Sequence, residues 1–160
     1  GNVILRKKQY RVSEDEKLSF EIAKNCVLGK VYNCRWVLER ATRDHSTQID
    51  LERVKRASSF LQQSLTNISL SRYMAQLRGY EGEAASVYFG VFDQLILQQK
   101  KEFTFHGRSR RPPLDNVNAM LSFIYTLLAN TIESALESVG LDPYVGFMHT
   151  DRPGSPWRWT

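Results

Sequence analysis

The chain has 160 residues, a net charge of +5 and a sequence pI of about 9.3, enough length for one domain with a sizeable core. Its 42% hydrophobic and 24% charged residues are those of an ordinary globular protein. The longest apolar run, Ala119 to Ala129, is shorter than the ~20 residues a membrane span needs, and no signal peptide is evident. A membrane protein is therefore not expected, while the basic excess favours a polyanionic partner.

The opening "NVILRKKQY" is apolar and then basic, and reads as a last strand or an extended lead-in. From Leu18, apolar residues recur at steps of three and four: Phe20, Ala23, Val27, Val31, Cys34, Leu38 and Ala41. That spacing predicts an amphipathic helix of roughly 26 residues, with Lys24, Lys30, Arg35 and Arg40 on its polar side. Two cysteines eight residues apart on one helix, Cys26 and Cys34, are separated by ~12 Å. The limit for a disulfide is ~7 Å between Cα atoms, so both are expected to be reduced core residues.

A second helix is predicted from Leu51, with Asp50 as its N-cap and Val54, Phe60 and Leu61 apolar. A short third helix is expected over Ser69 to Leu77. The next would begin near Glu81 and Glu83, acidic residues that suit a first turn. Its buried side would be Ala84, Ala85, Tyr88, Val91, Phe92 and Leu95. Then "QQKKEFTFHGRSRRPP" forms a long basic loop, and loops of that length are functional or mobile. The last helix is predicted from the N-cap Asp115 through the stripe Val117, Met120, Leu121, Ile124, Leu128, Ile132, Ala135 and Leu136. Gly140 stands where a left-handed cap belongs, with Pro143 after it. The fold class is all-α, about five helices.

Three features bear on function. Lys100, Lys101, Arg108, Arg110 and Arg111 place five cations within twelve residues, which would draw phosphate by charge and counterion release; the bland alternative is a solvated loop. Of the histidines, His45 reads as surface and His106 sits in the basic loop. His149, in "DPYVGFMHTDRPG", matters if carboxylates converge on it. Glu81 is bracketed by Gly79 and Gly82, which would allow a close backbone approach. No G-x-S-x-G, phosphate-binding glycine loop, C-x-x-C or H-E-x-x-H occurs.

Four segments, "GKVYNCRWVLERATRDH", "LRGYEGEAASVYF", "RSRRPPLDNVNAMLSFIYTLL" and "GLDPYVGFMHTDRPG", together resemble the CRISPR-associated integrase of the adaptation module. The resemblance runs from about Asn2 to Gly154 and looks bacterial, close to the type I-C branch. It implies that residues 1–16 end an N-terminal β-rich domain or linker, and that 17–154 form an incomplete helical catalytic domain. It implies a metal-dependent DNA endonuclease that inserts spacers by transesterification, with Mg²⁺ or Mn²⁺ as cofactor. Glu81 matches the acidic residue of the family's R-G-x-E motif and His149 the histidine of its G-F-x-H motif, as catalytic metal ligands. Arg108, Arg110 and Arg111 match its basic run. Implied partners are prespacer and repeat DNA, the second CRISPR-associated adaptation protein and a second copy of the chain, in a prokaryotic cytoplasm and without a membrane. Asn116 stands where the family usually has Pro, and Ile124 where Gly is common.

The family's third ligand is an acidic residue in an L-A-L-D segment downstream of the histidine, and this chain lacks it. It runs instead into "SPWRWT". Pro-Trp-Arg-Trp-Thr can be encoded CCN TGG CGN TGG ACN. Read two bases later, that is NTG GCG NTG GAC, which encodes (Leu/Met/Val)-Ala-(Leu/Met/Val)-Asp. Residues 155–160 are therefore expected to be an out-of-frame tail, with no role for Trp157 or Trp159, and the chain is expected to be inactive as an integrase. The alternative is a helical nucleic-acid-binding module without catalysis.

Overall fold

The computed structural model describes residues 2–148; His149 and the tail lie outside them. The described residues form five α-helices and one short 3-10 helix, with no strand. The all-α expectation holds. The helices are α1 (Val3–Glu14), α2 (Glu16–Asp44), α3 (Leu51–Leu70), α4 (Met74–Gly90) and α5 (Asn116–Ser138), with the 3-10 turn at Phe92–Leu95. The chain divides into two compact units: residues 24–123, and residues 2–23 together with 124–148.

In the larger unit, the periodic face of α2 is buried as its spacing predicts, at Val27, Val31, Leu38 and Ala41. Cys34 departs from that stripe: it is half-buried, Cys26 is exposed, and both are free thiols. Helix α3 buries Val54, Ala57, Leu61 and Ile68, and packs against α4 through Leu77 and Ala84. Each fully buried Leu or Ile contributes about 1.5–3 kcal/mol relative to exposure. Phe60 is exposed instead. The Ser58 hydroxyl on α3 also donates to Glu39 on α2. Asp50 caps α3 as expected, accepting from the Arg53 amide at 3.0 Å.

The short helix expected over Ser69 to Leu77 does not exist as such. Helix α3 continues to Leu70 and ends where the Ser71 hydroxyl donates to the Ile68 carbonyl at 2.6 Å. Helix α4 then starts from the extended Tyr73. Glu81 and Glu83 consequently lie inside α4, away from a first turn. The reason proposed for Gly79 and Gly82 also fails, because a Cβ at either position would meet nothing within 4 Å.

In the smaller unit, "NVILRKKQY" is helical, against the expected strand or extended lead-in. Asn2 caps α1 by accepting from the Leu5 amide at 3.1 Å. The buried Gln9 pairs with the backbone of Asp142 in both directions, donating at 2.8 Å and accepting at 2.7 Å. Ser19, Phe20 and Ala23 of α2 are buried. At the end of α5, the Leu141 amide donates to the Leu136 carbonyl and that of Gly140 to Glu137, both at 2.9 Å. Gly140 has φ +88°. This is the left-handed terminator expected there.

The apolar stripe predicted for α5 is largely uncovered. Val117 and Asn118 are its buried residues, whereas Met120, Ile124, Leu128 and Ile132 are exposed. Contrary to the expectation from the apolar run, α5 is by length and composition able to cross a membrane: 23 residues, with a hydropathy of 1.3 over its most apolar stretch. Uncharged Asn130 and Thr131 extend the run to Ile132, and Glu133 and Glu137 are the helix's charges. A helix that packs against protein can have the same composition.

Candidate metal ligand and nucleic-acid interface

Glu81 lies in the middle of α4, one turn before Ala85. Its side chain is 15% exposed. From α2, the Lys30 ammonium donates to Glu81 Oε1 and forms an ion pair with it. One turn along α2 from Lys30 is Cys34, and burial pushes its thiol above the ordinary range. The protonated form is therefore favoured and Cys34 is a poor nucleophile, in line with the missing nucleophile motifs. A carboxylate is a hard oxygen donor of the kind divalent ions take, and here Glu81 Oε1 is already paired with the Lys30 ammonium. Among the described residues no group of three His, Cys, Asp or Glu side chains could hold a metal, so Glu81 offers one ligand there.

The basic loop runs from the 3-10 turn to α5 and is pinned at two points. Phe105 is buried against Phe92 and Phe89, with ring centroids 5.1 and 6.3 Å away. Asn118, fully buried at the start of α5, is the second anchor. Its Oδ1 accepts from the Ser109 amide and the Arg108 guanidinium, both at 2.9 Å. Its Nδ2 donates to the Gly107 carbonyl at 2.9 Å and to Asp115 at 2.7 Å. Asp115 also accepts from the Asn118 amide at 2.7 Å, the N-cap that the sequence predicts. A buried amide whose donors and acceptor are all used holds its partners in one arrangement.

Between this loop and α4 lies an open cleft of about 780 Å³. Arg53, His106, Arg108 and Arg110, with the carboxylate of Asp93, supply its polar wall, and Gly82, Ser86 and Phe89 its α4 side. Arg53 is itself held by Asp93 at 3.1 Å and by the Gly90 carbonyl.

The candidate residues do not all meet in this cleft. Arg108 is half-buried and bonded into its own loop, donating to the Ser109 carbonyl at 2.7 Å. Lys100, Lys101, Arg110 and Arg111 are exposed. Glu81 does not line the cleft, although its neighbour Gly82 does. His149 lies outside the described residues. Sequence reasoning did not single out Arg53 or Asn118, and named Lys30 only as part of a polar face. Asn118 carried one signal, a polar residue directly beside the buried Val117 at a helix start.

Comparison with known proteins supplies the family. Residues 1–157 match the profile of "CRISPR associated protein Cas1". The chain is 53% identical over 160 residues to a CRISPR-associated endonuclease Cas1 of Rhodospirillum rubrum, covering 98% of this chain and 46% of that protein. It is 47% identical over 156 residues to one from Chlorobaculum tepidum, with the same coverage. For Leptospira interrogans the figures are 44% over 153 residues, 96% and 60%. The chain thus spans about half the length of the relatives it matches. Among solved structures, a casposase bound to its integration product superposes with a TM-score of 0.77 at 28% identity, covering 96% of this chain and 41% of that one. A Cas6-RT-Cas1–Cas2 complex gives 0.77 at 25% identity, covering 90% and 15%. The chain belongs to the Cas1 family of CRISPR-associated proteins.

Proposed function

We propose that this chain is the helical part of a metal-dependent integrase that joins spacer DNA to a CRISPR array. The observation that carries it is the near-buried Glu81 on α4, whose next residue lines a cleft walled by Arg53, Arg108 and Arg110. In the reaction a DNA 3′-hydroxyl oxygen bonds to a phosphorus of the repeat, and that phosphorus loses its bond to the neighbouring 3′-oxygen, which leaves as a new 3′-hydroxyl. A bound Mg²⁺ or Mn²⁺ would stabilise the attacking and leaving oxygens. Glu81 and His149 would hold it. Lys100, Lys101, Arg110 and Arg111 would meet phosphates and fix the strand without reading its sequence, with Arg108 shaping the loop that presents them. The solved relatives, one bound to an integration product and one in a complex with Cas2, support DNA and a Cas2-like protein as partners. Homodimerisation and a prokaryotic cytoplasm complete the proposal, with α5 packing against protein rather than lipid.

The alternative is a helical DNA-binding module without catalysis, favoured by the absence, among the described residues, of any group of three His, Cys, Asp or Glu side chains that could hold a metal. The test is a joining assay with Mn²⁺, a short duplex bearing free 3′-hydroxyls and a repeat duplex, with the Chlorobaculum tepidum relative as positive control. The 160-residue chain is expected to bind both duplexes and join neither. Specific joining that Glu81→Ala abolishes would overturn the expected inactivity. Failure to bind either duplex would overturn the DNA-processing role altogether.

A further inference from the structure

We propose that Lys30 is a built-in competitor for the divalent ion at Glu81, its ammonium occupying the carboxylate face that the metal must take. The inference rests on Glu81 being a metal ligand. Two observations point to it. The Lys30 ammonium is in direct contact with Glu81 Oε1, across 51 residues of chain and from a different helix. Glu81 is largely withdrawn from water at 15% side-chain exposure, so few directions of approach remain, and Lys30 takes one of them.

Lys30 is suited to leaving. Its side chain is 45% exposed, and a flexible stem returns a strongly hydrated ammonium to water at little cost. An arginine there would be harder to displace, because its planar fork grips both carboxylate oxygens. Without metal the ion pair keeps the part-buried Glu81 carboxylate from standing uncompensated, a state that is costly. With metal the ion takes over that role. Lys30 thus keeps Glu81 in place and sets a threshold of divalent concentration for loading.

The test titrates Mn²⁺ alone into the 160-residue chain and follows free Mn²⁺ by electron paramagnetic resonance. Lys30→Met and Lys30→Gln are expected to tighten binding about 1.5-fold to fivefold, the range of a part-exposed ion pair. Lys30→Arg is expected to bind no tighter than the unsubstituted chain. Circular dichroism reports whether each variant folds. Unchanged or weaker binding in a folded neutral variant overturns the proposal. A variant-free measurement stands beside it: the Lys30 side-chain NMR signal of the unsubstituted chain should move toward that of free lysine as Mg²⁺ is added. A signal that stays fixed through Mg²⁺ saturation counts against it. Glu81→Gln separates the two levels. If it keeps full Mn²⁺ affinity, Glu81 is no ligand and the metal role itself falls. If it loses affinity while the Lys30 variants do not change theirs, only the role of Lys30 falls.

Discussion

Single side chains in this protein act by holding something else in place. Asn118 spends every hydrogen-bonding group of its amide on the basic loop and the α5 cap. Tyr10 does the same for the segment after α5, donating its hydroxyl to Asp142 Oδ2 at 2.6 Å. That bond is the largest cause of an Asp142 carboxyl held below its ordinary value, opposed in part by burial. Because the folded value is lowered, the stabilisation is present above the unfolded carboxylate value of about 3.9. It is lost as pH falls through the folded value. Tyr10→Phe should bring the Asp142 titration midpoint, followed by NMR, back up toward that of an unperturbed aspartate. It should also flatten the loss of stability toward acid measured by urea unfolding. An unchanged midpoint would assign the shift to the Tyr144 amide, which donates to Asp142 Oδ1 at 2.9 Å.

At the scale of elements, helix ends are set by local chemistry and helix faces by what they meet. Asp50 and Asp115 cap α3 and α5 because a short acidic side chain reaches the amide three residues on. The far end of α5 depends on Gly140, at φ +88°, where a Cβ would come within 2.8 Å of the Asn2 backbone nitrogen. Gly140→Ala therefore combines backbone strain with a steric conflict at the start of α1. It is expected to lower stability by about 1–3 kcal/mol, read as a shift in the urea midpoint at unchanged slope. A shift no larger than that of Gly29→Ala, a helical glycine with open space around it, would show that the α1 contact is not formed.

For the molecule as a whole, part of the basic excess is gathered on one anchored loop. Lys100, Lys101, Arg110 and Arg111 stay exposed while their loop is anchored by Phe105 and Asn118. An anchored cationic loop loses little freedom on meeting a polyanion. Binding of duplex DNA to the chain should weaken linearly in log[salt], with a slope of about −3 to −4 if all four cations reach phosphates. Replacing Arg110 and Arg111 together by Ala should reduce that slope by about 2, measured by fluorescence anisotropy across a salt series. Salt-independent affinity would remove the loop from the interface.

Much of this protein is written into local pattern. The buried stripe of α2, the caps of α3 and α5, the Gly140 terminator and the family motifs are all legible, because each depends on residues within one or two turns of one another. The α3–α4 boundary is not legible because no Gly or Pro marks it; a serine hydroxyl and an extended tyrosine do. Helix α1 was missed for a different reason. Its seat comes from Gln9 pairing with Asp142, 133 residues away, and no periodicity reports such a contact. The same holds at the candidate site. The motif names Glu81, but only the tertiary structure sets Lys30 against it and assembles the Arg53, Arg108 and Arg110 wall. A side chain's identity and helical phase are local properties. The partner it finds is decided by how distant helices pack, and that is where the chemistry of Glu81 is determined.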